Sequence, residues 1–181
     1  MSTQPSIIVP ELRARQSPVT PDALATKLGS RIQALLRRSL HLRHLDAGSC
    51  NGCDWEIQAL LGPTYDLQRL GIDIVASPRH ADGVLVTGSV TRNLEQAVRM
   101  TYEAMPQPGL VIAVGACACG GGVLQGSYCT AGGVANVLPV DVFIPGCPPR
   151  PQALLYGLLL AVDRLEQKLH HTAISVPRSP E

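Results

Sequence analysis

The sequence predicts an α/β fold built on a parallel sheet with helices on both faces. Three observations carry that expectation. From residue 41 onward, short apolar runs of strand length alternate with helical patterns, the signature of strand–helix–strand units. The apolar fraction is 45% but aromatics make up only 3%, so a layered core must be filled mostly by Leu, Val, Ile and Ala. Seventeen glycines and fifteen prolines supply the tight turns that such a fold needs. A length of 181 residues sets the scale at one domain.

Residues 1–20 hold three prolines, scattered charge and no periodicity, and read as an extended arm. Thr20 followed by Pro21 offers a helix start, with an N-capping side chain before proline at the first helical position. Leu24, Leu28, Ile32, Leu35, Leu36 and Leu40 then recur at helical spacing, while Lys27, Arg31, Arg37 and Arg38 fall largely off that stripe. The pattern predicts an amphipathic helix over 21–39 with a basic face. That face suits either a docking helix with a solvated side or one lying near anionic lipid or a membrane partner.

Further along, His41–Leu45 reads as a strand and Trp55–Leu61 as a short helix. Ile72–Ala76 and Gly83–Thr87 read as strands, Leu94–Met105 as a helix, and Gly109–Gly115 as a strongly apolar strand. Val140–Ile144 closes the sheet and Pro151–Lys168 forms the last helix. The expected organisation is a single flavodoxin-like domain over 21–168, followed by a tail over 169–181 in which His170 and His171 mark a solvated, frayed end. In such sheets, ligands sit outside the carboxyl ends of the strands.

A net charge of +1 gives no electrostatic case for nucleic acid. Charge is uneven, at +4 over residues 1–40 and −3 over the remainder. No apolar run approaches the roughly 18–20 residues of a membrane span, and the start has no basic-then-apolar pattern of a secretory signal. The chain therefore reads as one not exported by a signal of its own.

The chemistry lies in six cysteines: Cys50, Cys53, Cys117, Cys119, Cys129 and Cys147. Cys50-Asn-Gly-Cys53 follows the first strand of the domain. Cys117 follows the apolar strand in Gly-Ala-Cys-Ala-Cys-Gly-Gly-Gly, and Cys147 follows the last strand in Pro-Gly-Cys-Pro-Pro. The carboxyl ends of parallel strands share one edge, so three separate segments can present four thiolates to one point. Four thiolates bind zinc or an iron–sulfur cluster. Structural zinc sites usually pair two C-x-x-C knuckles, whereas here one C-x-x-C joins two solitary cysteines flanked by Gly or Pro. Glycine lets backbone approach a bulky inorganic cube and aim amides at its sulfides, which favours a 4Fe–4S cluster over zinc. A thioredoxin-like redox pair at Cys50 and Cys53 would leave the other glycine-flanked cysteines unexplained. Gly120–Gly122 lack the following lysine of a phosphate loop.

Leu45-Asp-Ala-Gly-Ser-Cys50-Asn-Gly-Cys53-Asp-Trp-Glu56 resembles the first cluster motif of small subunits from membrane-bound, energy-converting NiFe hydrogenases of the formate hydrogenlyase type. Val86-Thr-Gly-Ser-Val-Thr91, Val114-Gly-Ala-Cys117-Ala and Pro139-Val-Asp-Val-Phe-Ile-Pro-Gly-Cys147-Pro-Pro-Arg-Pro151 resemble the later motifs in the same order. The same segments are similar to the B subunit of NADH:quinone oxidoreductase (complex I), and the likeness spans about residues 20–168. Complex I subunits carry two adjacent cysteines at the first motif. The C-x-x-C here leans toward the hydrogenase branch, with nickel-free relatives of that branch as the neighbouring reading.

The resemblance implies one 4Fe–4S cluster on Cys50, Cys53, Cys117 and Cys147, and Gly115, Gly120, Gly121, Gly122 and Gly146 read as giving the backbone room beside it. Cys119 departs from the pattern and is expected as a thiol packed near the cluster, with exchange for Cys117 as a ligand the other reading; Cys129 is expected as a free thiol in a variable loop. Glu56 is expected near the cluster, either facing a large-subunit seam and helping to move protons or simply stabilised by a helix N-terminus. Asp54 is expected as a capping or solvated group. Trp55 is expected at a subunit seam. Arg150 is expected to pair with a partner carboxylate, to raise the cluster potential or to be solvated.

The implied function is electron transfer within an oxidoreductase complex. Its partners would be a large catalytic subunit holding the NiFe centre, a ferredoxin-like iron–sulfur subunit and antiporter-like membrane subunits, with the basic helix facing the membrane arm. The implied location is the cytoplasmic side of the membrane, peripherally attached. The alternatives are a complex I-type subunit passing electrons to quinone and, from a different class, a zinc-stabilised structural subunit.

Overall fold

The computed structural model describes residues 7–8 and 21–175, with side chains over 22–171. The expectation for residues 1–20 lies outside the described residues except at Ile7–Ile8, which form strand β1. The remaining strands are β2 (Leu40–Asp46), β3 (Ile72–Ile74), β4 (Gly83–Thr87), β5 (Leu110–Val114) and β6 (Val142–Ile144). The helices are α1 (Pro21–Leu36), α2 (Gly52–Leu61), α3 (Arg92–Glu103), α4 (Gly115–Gly120) and α5 (Pro151–Ser175).

All pairings are parallel, in the order β1-β6-β5-β4-β2-β3. Without β1, this is the flavodoxin order. It results from a chain that pairs β2 first with β3 on one side, then crosses to lay β4 on the other. The order therefore reverses between β3 and β4, and β2 and β4 flank the switch point.

Alternation along the central strands divides the core into two layers. Leu85, Leu110, Ile112 and Val114 face α1, α2 and α5, joined by Leu28, Ile32, Leu155 and Leu158. Val84, Val86, Val111 and Ala113 face the other way, against Val98 and Met105. Strands buried on both faces read as continuous apolar runs, which is why β4 and β5 were legible.

Several boundaries differ from the sequence expectation. Helix α1 stops at Leu36, short of residue 39, because Arg37 takes a left-handed φ of 54° that ends the helical path. Strand β5 ends at Val114, and Gly115 opens the short helix α4, which the sequence did not signal. Helix α5 runs on to Ser175, past the expected Lys168, carrying exposed His170 and His171 on helical backbone.

Two of the four basic residues expected on this helix, Arg31 on α1 and Arg38 just beyond it, are paired within the chain. Arg31 bridges Asp163 at 2.7 Å and Glu166 at 2.8 Å on α5, and Arg38 holds Asp82 at 2.6 Å. These pairs dock α1 against the body, while Lys27 and Arg37 stay exposed.

At the amino end of the sheet, the Asp141 carboxylate is 6% exposed and accepts from Val111 N–H at 2.8 Å and Lys168 Nζ at 2.7 Å. Removing one partner of a buried, charge-assisted set leaves the others desolvated. Asp141→Ala is therefore expected to destabilise the fold by about 2–3 kcal/mol, read as a lowered denaturant midpoint with unchanged slope.

Candidate metal centre

The carboxyl ends of β2, β5 and β6 each deliver a cysteine segment to the same edge of the sheet. After Asp46, a tight loop forms because the Asp46 carboxylate accepts Gly48 N–H at 2.9 Å and Ser49 N–H at 2.7 Å. Asn51 then adopts φ 65° as the N-cap, a left-handed position that Asn tolerates, and α2 begins at Gly52. Cys53 and Asp54 thus lie inside the first turn, which begins earlier than the helix expected over Trp55–Leu61. Cys117 rides on α4 directly after β5, and Cys147 follows β6 in the turn before α5. Gly146 C=O accepts Ala116 N–H at 2.7 Å, which ties the Cys117 and Cys147 segments together.

Cys50, Cys117 and Cys147 lie close enough to Cys53 to act on its thiol. The Cys53 thiol is pushed up to about 12, first by burial, then by the charges of Asp54, Cys50, Cys117 and Cys147. Among the described residues, no three His, Cys, Asp or Glu side chains gather tightly enough around one point for a single metal ion.

Two glycines are fitted against these sulfurs. A Cβ on Gly115 would lie 2.4 Å from Cys53 Sγ, and one on Gly122 would lie 2.7 Å from Cys117 Sγ. Both have positive φ, at 89° and 54°. Gly120, by contrast, would point a Cβ into open space, so nothing in this chain requires glycine there. On the same edge, the loop after β4 carries Ser89, whose buried Oγ has no hydrogen-bond partner among the described residues.

The other singled-out residues are placed as follows. Cys119 turns back onto β5, its Sγ 3.8 Å from Ala113 C=O, and burial first of all pushes its thiol up to about 11. It packs on the layer around Val111 and Ala113, whereas Cys53 packs on the opposite layer. Cys129 is exposed beside Ser127 Oγ at 3.0 Å. Glu56 is partly exposed and Arg150 exposed, and neither has an ion-pair partner among the described residues. Trp55 is 69% exposed, with Val123 and Tyr128 also open on the turn after α4.

Asp54 is the correction. Its side chain is only 14% exposed, not solvated. Its carboxylate accepts from Ser49 Oγ and from Thr87 Oγ1 at 2.8 Å, and His44 Nε2 lies 2.7 Å from its Oδ1. Sequence reasoning missed His44, Ser49 and Thr87 because they come from three separate elements, and no spacing rule links them.

The family model of the NADH ubiquinone oxidoreductase 20 Kd subunit matches residues 50–161, a stretch that begins at Cys50 and takes in Cys53, Cys117 and Cys147. The chain belongs to this family. Among its relatives is a probable membrane-bound hydrogenase subunit of Pyrococcus furiosus, 48% identical over 146 residues, covering 79% of this chain and 87% of the relative. Formate hydrogenlyase subunit 7 of Escherichia coli is 43% identical over 153 residues, covering 84% of this chain; the chain spans 60% of that relative's length. Among solved structures, a chain of an archaeal respiratory membrane complex, the membrane-bound sulfane sulfur reductase, superposes with a TM-score of 0.63. It is 33% identical and covers 79% of this chain and 76% of its own. These relatives are subunits of oxidoreductase complexes, and the names of the Pyrococcus subunit and of the sulfane sulfur reductase call theirs membrane-bound. Among the described residues, no helix of this chain is long and apolar enough to cross a membrane.

Proposed function

We propose that this 20 kDa-family subunit is an electron-transfer small subunit holding one 4Fe–4S cluster on Cys50, Cys53, Cys117 and Cys147. In this reading it lies beside the NiFe site of a large catalytic subunit in a membrane-bound hydrogenase complex. The observation that carries the reading is the convergence of these four thiols, from three segments, on one edge of the sheet. Their chemistry fits the group. Four thiolates in a half-buried site repel one another, and a cationic iron core removes that repulsion. Cys50, Cys117 and Cys147 all lie near enough to Cys53 to act on its charge, as ligands of one core must. Gly115 and Gly122 leave the space beside two of the sulfurs that a side chain would take.

When bound, the cluster supplies single-electron transfer, with its potential set by burial, charge and hydrogen bonds to sulfur. This chain's residues do the rest. The α2 start holds Cys50 and Cys53, α4 holds Cys117, and the Gly146 carbonyl fixes the Cys117 and Cys147 segments relative to each other. Exposed Trp55 and Val123, on elements next to the cysteines, form the seam that the large subunit covers and so exclude water from the cluster. A ferredoxin-like subunit would carry electrons onward, and antiporter-like membrane subunits would couple the flow to ion translocation. In this reading the chain lies on the cytoplasmic face of the membrane, held there by its partners. The engagement of Arg31 and Arg38 within the chain supports attachment through protein and not through lipid.

Glu56 stands on α2 with a free carboxylate next to that seam. Glu56→Gln is expected to slow turnover of the assembled complex roughly ten- to a hundredfold while leaving its iron content intact. Unchanged turnover would return Glu56 to a structural role. The cluster itself is tested by isolating the complex anaerobically through this chain. A brown protein whose visible absorbance bleaches on reduction supports the reading. A colourless chain holding zinc contradicts it.

A further inference from the structure

At the switch point between β2 and β4, one carboxylate gathers the loop that carries Cys50, the helix that carries Cys53 and both central strands. His44 Nε2 on β2 lies 2.7 Å from Asp54 Oδ1 and 3.2 Å from Thr87 Oγ1. Thr87, the last residue of β4, donates its hydroxyl to the same Oδ1 at 2.8 Å. Ser49 Oγ donates to Oδ2 and in turn accepts Asn51 N–H at 3.0 Å, which fixes the residue before α2. The backbone follows the same course: Ala47 N–H donates to Thr87 C=O at 2.8 Å. Gly88 presses so closely on the Gly48–Ser49 backbone that a Cβ there would sit 2.6 Å from Gly48 C.

Each acceptor oxygen of Asp54 is thus satisfied, and the side chains of His44 and Asp54 are mostly buried, at 25% and 14% exposure. Two long-range contacts on one carboxylate cost conformational entropy that a solvated cap would not need. Their effect is to fix the backbone on both sides of Cys50 and immediately after Cys53.

We propose that His44 and Thr87, acting through Asp54, are positioning residues that set the geometry of the Cys50–Cys53 donor pair. The proposal rests on the cluster reading above. Outer partners that orient ligands change metal affinity by roughly ten- to a hundredfold when removed. A glutamine amide can offer an N–H to Asp54 Oδ1 from the place of the imidazole, and leucine cannot.

The test uses the complex isolated anaerobically through this chain, with release of the cluster to an iron chelator followed by electron paramagnetic resonance. His44→Leu is expected to speed release roughly ten- to a hundredfold and to alter the signal's line shape, with His44→Gln restoring both. Thr87→Val, which keeps side-chain shape and removes the hydroxyl, is expected to shift release in the same direction and stands in should His44→Leu fail to assemble. Arg38→Leu cuts a surface pair at the opposite edge of the sheet and is expected to leave release unchanged. Wild-type release and line shape in both His44→Leu and Thr87→Val would overturn the proposal, as would equal acceleration in Arg38→Leu. A wild-type complex with no iron–sulfur signal assignable to this chain would overturn the cluster reading itself, a failure visible before any variant is made.

Discussion

Cys147→Ser is expected to strip one cluster's worth of iron and sulfide from the complex, while Cys129→Ser keeps its full content. Serine keeps the size of the side chain but replaces a soft thiolate with a hard, weakly acidic hydroxyl that binds iron poorly. Cys147 sits in the turn between β6 and α5, and its segment is tied to α4 by the Gly146–Ala116 hydrogen bond. No other thiol in the site can take its place. Cys119 is turned onto Ala113 and packs on the opposite core layer from Cys53. Cys129 lies exposed in its loop beside Ser127. Iron and sulfide analysis of the two variant complexes, with electron paramagnetic resonance on reduction, checks the expectation. Equal loss in both would break the ligand assignment.

Gly115→Ala is the second large expected effect. The residue has φ 89°, which costs an L side chain about 1–2 kcal/mol. Its new methyl would also overlap Cys53 Sγ, 2.4 Å away, so that either the thiol or the start of α4 must move. We expect destabilisation of about 2–4 kcal/mol together with loss of the cluster, since both the Cys53 and Cys117 segments would be displaced. Gly120→Ala is the internal control. That glycine lies at the end of the same short helix with nothing within 4 Å of its would-be Cβ. Alanine there should leave iron content unchanged and stability within about 1 kcal/mol of wild type. Thermal unfolding and iron content of the two variants separate the cases, and a Gly115→Ala complex with full iron would show that the close approach to Cys53 is not needed.

The framework of this site was legible in the sequence because its physics is local. Strands β4 and β5 announce themselves as apolar runs, since both faces are buried, and each cysteine segment follows a strand directly. Parallel pairing then forces the segments to one edge. What was not legible depends on contacts across the fold. Helix α4 has six residues of Gly, Ala and Cys, too short and too uniform to show a period. The glycine run 120–122 reads as room beside the cluster, but not which member supplies it: Gly122, 54° in φ, folds over Cys117, while Gly120 turns outward. Asp54 looked like a helix-start carboxylate and is one, but its three side-chain neighbours come from β2, the Cys50 loop and β4, a meeting fixed only by the strand order. The basic face of α1 was visible as a stripe, yet whether lipid, a partner or this chain itself would neutralise it was decided by Asp163 and Glu166, about 130 residues away.

The measurement that tests the central claim most directly is the nickel and iron content of the complex that co-purifies anaerobically with this chain. The account predicts about one nickel for each copy of this chain, alongside cluster iron, as expected for an electron-transfer subunit seated beside a NiFe centre. Iron without nickel in an intact, active complex would contradict it and move the subunit to a quinone-reducing or nickel-free member of the same family.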